Sequence, residues 1–497
     1  MSFSAEMAPR IARLNDRPIT GKRPDGGAPE YVLCWVQQAL RAHDNPAIDA
    51  AVELANGLGL PVVVYHGLRM DYPYASDRLH RFILGASRDL QRLCEARGLR
   101  CITYLETTDV REKGLVYRLA SRAAAVVTDD QFVFVARWQA DAFARGHEGP
   151  VIAVDAARLV PTRMLPTGLA ATRDFRRASG EHRDTFLAHA TDYEPEVERF
   201  DGGFDFEDAR NGDASDADLD ARVAACAIDH SLPVAAIDPS RDAATDGLAT
   251  FVADELPGYA DRRNNPADES GVSRLSPYLH FGVLGPREIA RAVWDADVKS
   301  NPRWKFLDEM LTWREHFHYI SHHSNVPASF ESLPKRARES LLAHADDPRD
   351  RTYTLDQLLH GETDDETWNA AQRQWLATGY MHNNLRMYWG KQLIGWTDHP
   401  VDAWITALYI NDRLSLDGRD PSTYGNMQWC FGRSKPAYRE QPVYGWVPPK
   451  RDTAVRKRKG AEAWLAKWAS ADVPRVSVPN AAFVATGFET AFRVGER

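Results

Sequence analysis

The chain has 497 residues, with 61 Lys plus Arg against 70 Asp plus Glu, a net charge of −9, and 44% apolar residues. That is the mix of a folded globular protein of about two or three units, and it excludes a disordered chain and a coiled coil. No apolar run reaches the ~18 residues that cross a bilayer, the first ten residues lack an apolar signal core, and five scattered cysteines without a C-x-x-C pair suit reduced thiols. A cytoplasmic protein away from membranes is expected.

Residues 1–30 are polar and rich in Pro and Gly and read as a flexible N-terminal arm. From 31 to 165, short β-branched runs alternate with helical spacing. Strands are predicted at 31–36, 61–66, 100–105, 123–128 and 151–155, with helices over 45–58 and 76–97. Five strands with intervening helices imply a Rossmann-like, doubly wound parallel sheet. Residues 166–238 read as an acidic interdomain connection. Between Asp192 and Asp220 there are twelve acids against Arg199 and Arg210, so the rest of the chain is close to neutral. From 239 to 450 strand signals nearly vanish. Amphipathic stretches at 286–296, 304–323, 364–378, 380–394 and 401–408 predict a large helical domain. Residues 451–497 read as a basic extension. From Arg433 to Lys459 nine bases face two acids, a local charge able to capture phosphates even on an acidic chain.

Phosphate loops of the G-x-x-x-x-G-K-[ST] and G-x-G-x-x-G kinds are missing, as are H-E-x-x-H and G-x-S-x-G. Four other constellations carry chemistry. Tyr259 to Pro266 is followed by Ser273-Arg-Leu-Ser-Pro-Tyr-Leu-His-Phe-Gly282, where hydroxyls precede Pro277. Pro suits the first turn of a helix, and a helix start with free N–H groups suits a phosphate. Glu309 and Trp313 are four apart and share a helix face, so a carboxylate and an indole could hold a heterocycle. The plain alternative is a core Trp beside a surface Glu. Trp389 and Trp396 lie seven apart, with Trp368 on the preceding helix; such indoles are either core or an electron path. His318 and His322 stand at i, i+4 beside His316 and His323, but no third ligand follows at convincing spacing, and no metal is expected.

Four ordered motifs converge on one family. Tyr259–Pro266 with Leu275-Ser-Pro-Tyr-Leu-His-Phe-Gly282, Trp368-Asn-Ala-Ala-Gln372, Met381-His-Asn-Asn-Leu-Arg-Met-Tyr-Trp389 and Asp417-Gly-Arg-Asp-Pro421 resemble the photolyase/cryptochrome flavoproteins, closest to the class II cyclobutane pyrimidine dimer photolyases. Trp35-Val-Gln37 and Asp44-Asn45 resemble the same branch, and the likeness runs over about 31–450. It implies a Rossmann-like antenna domain joined to a helical domain holding a bent FAD. Tyr259, Ser273, Arg274, Leu275, Ser276 and Arg314 would surround the diphosphate, and Arg386 would pair with Asp417 beside the flavin ring. Asn383, Arg419 and Ser422 also belong to the implied cofactor set. Glu309, Trp313 and Met387 would form the lesion cavity, with Trp389, Trp368 and Trp396 as the electron relay in that order. Arg263, Asn264, Arg433, Lys435 and Tyr438 would contact DNA carrying UV-induced pyrimidine dimers, flipped out of the stack. The implied activity is a light-dependent repair lyase; the alternative is a cryptochrome-like blue-light receptor. A second antenna chromophore, of deazaflavin or folate type, and a monomeric state complete the expectation.

The sequence departs from the family pattern in two places. Where the pattern expects Asn-Gly-Tyr after Pro421, the chain has Ser422-Thr423-Tyr424. Ser434-Lys435-Pro436 is one residue short of the expected loop, and Tyr438 stands for Trp.

Overall fold

The computed structural model describes residues 3–189, 192–206, 208–433, 437 and 439–478. Runs such as Tyr31-Val-Leu-Cys-Trp35 and Val62-Val-Val-Tyr65 are apolar on both faces, which suits strands covered by helices on both sides. They form β2 (Tyr31–Trp35), β3 (Val62–Leu68), β4 (Arg100–Leu105), β5 (Ala123–Asp129) and β6 (Val151–Val154), all parallel. The sheet has six strands rather than five. Its sixth, β1 (Ile11–Arg13), comes from the arm and pairs antiparallel with β6, giving the order β1-β6-β5-β2-β3-β4. Met7 is fully buried and the Arg10 guanidinium donates to the Asp155 and Leu159 carbonyls, so this part of the arm is packed. A polar, Pro-rich sequence hides such a short edge strand from any periodicity test.

The acidic connection is likewise docked. Its Asp216–Ala224 helix lies on the Asp77–Ala96 helix, where Arg81 and Arg88 pair with Asp216, and Arg81 also with Asp220. Beyond residue 240 every regular element among the described residues is helical. The 304–323 stretch is not one regular α-helix. Ser300–Asp308 and Glu315–His322 are α-helical, and a π-turn over Glu309–Arg314 joins them. Such bulges re-aim side chains and recur at functional sites. Beyond 450, Trp464 and Trp468 of the Ala461–Ala469 helix join the helical core.

The two halves meet closely. Gly282 has φ +68°, and a Cβ there would lie 2.6 Å from the Gln38 carbonyl oxygen and 2.7 Å from the Ala39 Cα. Arg78, fully buried, crosses from the Asp77–Ala96 helix to the Leu376 and Leu414 carbonyls at 2.5 and 2.8 Å.

Candidate active site

A deep cavity opens among the helices. Tyr259, Arg263 and Asn264 line it from one short helix and its following turn, and Ser273, Arg274, Leu275 and Ser276 line it from the next. The π-turn contributes Glu309, Trp313 and Arg314. Asn383, Arg386 and Met387 come from the Asn383–Trp396 helix, which His382 caps by accepting from the Asn384 N–H. Asp417 and Ser422 close the wall. Stretches more than 100 residues apart thus supply one chamber.

Arg386 donates to Asp417 at 2.7 Å. Burial would raise the Asp417 carboxyl, but Arg386 and a hydrogen bond from Ser276 outweigh it and hold the group below its ordinary value. Nearby, burial of Asp420 is overcome by His318, His280 and Arg314, and its carboxyl lies well below the usual range. Arg314 also donates to the Ala157 carbonyl at 2.8 Å, tying the chamber to the sheet half. The histidine cluster disperses into such structural contacts: His318 meets Arg158 and Asp420, while His316 meets Thr172 and the Leu169 carbonyl.

Glu309 faces two cations, Arg263 at 2.9 Å and Lys305 at 2.8 Å. Next to it Trp313 meets Trp429 edge to face, ring centroids 5.1 Å apart. Motif reading missed Trp429, which lies outside the four motifs. It also missed Asn411, a buried carboxamide on the same cavity as Ser422.

Arg419 departs from expectation. It does not line this cavity; its guanidinium turns back onto the Ser415 and Leu416 carbonyls, both at 3.1 Å, and it borders a second cavity instead. Adjacent residues in a tight turn with φ +58° at Arg419 point to opposite sides. Arg433 is half-buried and bound to Gln428 at 2.7 Å. Arg439, Arg451 and Arg456 to Lys459 are exposed. The segment over 450–459 touches the neighbourhood of the cavity at two points: Asn265, next to the lining residue Asn264, donates to the Lys459 carbonyl at 3.0 Å, and Lys450 donates to that of the lining residue Asn384 at 3.1 Å. Lys435 and Tyr438 lie outside the described residues.

A family model described as DNA photolyase matches residues 32–196. A deoxyribodipyrimidine photo-lyase of Methanothermobacter thermautotrophicus is 31% identical over 454 residues, covering 91% of this chain and 96% of that protein. The chain belongs to the DNA photolyase family. The deoxyribodipyrimidine photo-lyase of Arabidopsis thaliana is 29% identical over 84% of each chain. Among solved photolyase and cryptochrome structures, a class III photolyase from Agrobacterium tumefaciens matches with TM-score 0.61 at 17% identity, covering 94% of this chain and 97% of its own. A Synechocystis cryptochrome matches at 0.62 and 16%, covering 93% and 99%.

Within this photolyase chain, Trp389 and Trp368 are fully buried and stacked, centroids 5.7 Å apart at 10°. Half-buried Trp396 meets Trp368 at 5.4 Å. Two further rings extend the row: Trp375 touches Trp389 at 5.2 Å on the cavity side, where Arg386 lies over it, and Tyr353 touches Trp396 at 5.2 Å on the outer side. The second cavity lies between the sheet and the helical half. Trp35, Tyr65, Tyr104 and Phe143 line it, and His280 borders both cavities.

Proposed function

We propose that the protein splits cyclobutane pyrimidine dimers in DNA by light-driven electron transfer, with FAD as its cofactor. The observation that carries this is one chamber holding both the Arg386–Asp417 pair and the Glu309–Trp313 wall.

The residues present fit a flavin dinucleotide. The Ser422 hydroxyl lines the cavity, buried and without a hydrogen-bond partner, and Asn411 offers a buried amide nearby. Ser273, Arg274, Leu275, Ser276 and Tyr259 would hold the diphosphate, and Arg386 would favour an anionic ring in a dry pocket. When bound and reduced, the cofactor supplies the light-excited electron. The rest falls to the chain. A carboxylate accepts hydrogen bonds, so Glu309 would receive a pyrimidine N–H after exchanging its contact with Arg263; it reaches a carbonyl only when it carries a proton. Trp313 and Met387 would hold the flipped bases and exclude water, with Trp429 packed against Trp313. Arg263 and Asn264 stand at the rim where the vacated duplex would lie, and Arg451 with Arg456–Lys459 would meet phosphates. Trp389, Trp368 and Trp396 form a contact path from the interior to the surface. A planar antenna chromophore of deazaflavin or folate type suits the aromatic second cavity; an archaeal photolyase from Sulfolobus tokodaii, TM-score 0.61 at 15% identity, is described with two FAD molecules.

Irradiating the reduced, flavin-loaded protein with a dimer-containing oligonucleotide should restore thymine absorbance. Glu309→Gln should lower repair per absorbed photon severalfold while leaving the flavin spectrum intact. A yellow protein that restores no thymine would make the cryptochrome-like receptor the better reading.

A further inference from the structure

A third cavity, of about 200 Å³, shares no lining residue with the other two. Arg10 of the arm, Arg41, Asp44 and Arg158 of the sheet half, and Arg287 of the helical half line it. Its charges are unbalanced. Arg158 is paired with Asp155 at 2.7 Å, and Arg287 with Asp44 Oδ1 at 2.7 Å. Arg10 and Arg41 are 7% and 3% exposed, and neither has an ion pair within 4 Å among the described residues. Their N–H groups donate to carbonyls, Arg10 to Asp155, Arg158 and Leu159, Arg41 to Asp44, Gly282 and Ala156, and Arg10 also lies over the Phe186 ring at 5.0 Å. Asp155, Asp44 and Glu315 act on Arg10, and Asp44, Glu288 and Asp129 on Arg41, only from beyond ion-pair distance, and burial still pulls the pKa of both guanidiniums down. Glu6, the other acid of the lining, stands exposed at the rim.

A second anomaly sits beside them. Asp44 Oδ2 is buried and has no hydrogen-bond partner. The same cavity therefore offers unpaired positive charge and one acceptor that lacks a donor. A bare oxyanion answers only the first. A tetrahedral anion with one remaining O–H answers both, giving its oxygens to the guanidiniums and its proton to the carboxylate. We propose that this cavity binds inorganic hydrogen phosphate, which joins the arm, the sheet half and the helical half. Arg10, Arg41 and Arg287 supply positive charge, and Asp44 reads the P–OH. Sulfate, equal in shape and charge but without an O–H at neutral pH, is rejected because its oxygen would face the carboxylate.

Calorimetry and thermal unfolding of the full chain in inorganic phosphate, with sodium sulfate at matched ionic strength as control, test this. The expected result is one saturable phosphate site per chain, a midpoint that rises with phosphate as binding to the folded state requires, and sulfate at least about tenfold weaker. Asp44→Asn should erase that discrimination. If Asp44→Asn does not fold, Arg287→Gln, at the partly exposed rim, should weaken phosphate about tenfold with an unchanged circular dichroism spectrum. Absence of saturable binding, equal responses to phosphate and sulfate, or unchanged affinity in folded Arg287→Gln would each overturn the assignment. None of these readouts involves flavin or DNA.

Discussion

Glu315 stands behind the π-turn, fully buried, one oxygen accepting from the Leu159 N–H at 2.6 Å and the other without a partner. Burial pushes its carboxyl from an ordinary 4.5 up to about 7, against smaller opposing effects of Leu159, Arg183 and Arg314. Between those two values the folded chain keeps a proton that the unfolded chain has released. Stability therefore falls as pH rises through that window and stays at the lower level above it. Glu315→Gln removes this titration. Urea unfolding at pH 5 and pH 8 should show a smaller loss of stability in the variant; equal losses in the two proteins would contradict the argument. Glu309 was legible at this scale because its residue type and its spacing from Trp313 mark it. Trp429 and Asn411 were not, since neither carries a mark in the sequence until folding sets Trp429 against Trp313 and Asn411 against the cavity.

At the scale of elements, the Pro421–Gln428 helix lies on Glu315–His322 with almost no clearance. A Cβ on Gly425 would stand 2.2 Å from the Phe317 ring. Gly425→Ala should cost about 1–3 kcal/mol by overpacking, read as a lower denaturation midpoint. Because both helices border the chamber, bound flavin should be retained less well too. The Asn383–Trp396 helix carries Arg386 into the cavity and Trp389 and Trp396 away from it. Trp389→Phe should abolish light-driven reduction of bound oxidised flavin, measured by steady illumination with an added thiol, while leaving repair by pre-reduced protein. Unaltered photoreduction would show that electrons take another route, for which Trp375 is the first candidate. Helix positions were readable from spacing, whereas the π-turn was not: Glu309–Arg314 is little more than one turn, too short for its wider period to register.

Across the whole molecule, charge is segregated. The acidic segment is held against the sheet half by Arg81 and Arg88, and the segment of exposed bases at 451–459 is tied to Asn265, next to the lining residue Asn264. A chain of net charge −9 can therefore present a positive face to DNA. Replacing Lys457 and Arg458 together with Ala should weaken binding to damaged and undamaged duplex alike. The slope of log affinity against log salt should shrink by about 0.9 for each phosphate that is no longer neutralised. An unchanged slope would remove these bases from the interface.

The linear order of residues carried the alternation of strand and helix, the change to an all-helical second half and four motifs specific enough to name a family. All of these are local, written in spacing and residue type. Folding decided what is shared between distant stretches. It paired the arm with β6, and it turned Arg419 from one cavity to another while its neighbour Asp420 stayed on the first. It also set Trp429 against Trp313 and brought Arg10 and Arg41 to one cavity with Asp44. Burial and counter-charge at a point in space depend on every segment that arrives there, and no window along the chain contains that sum.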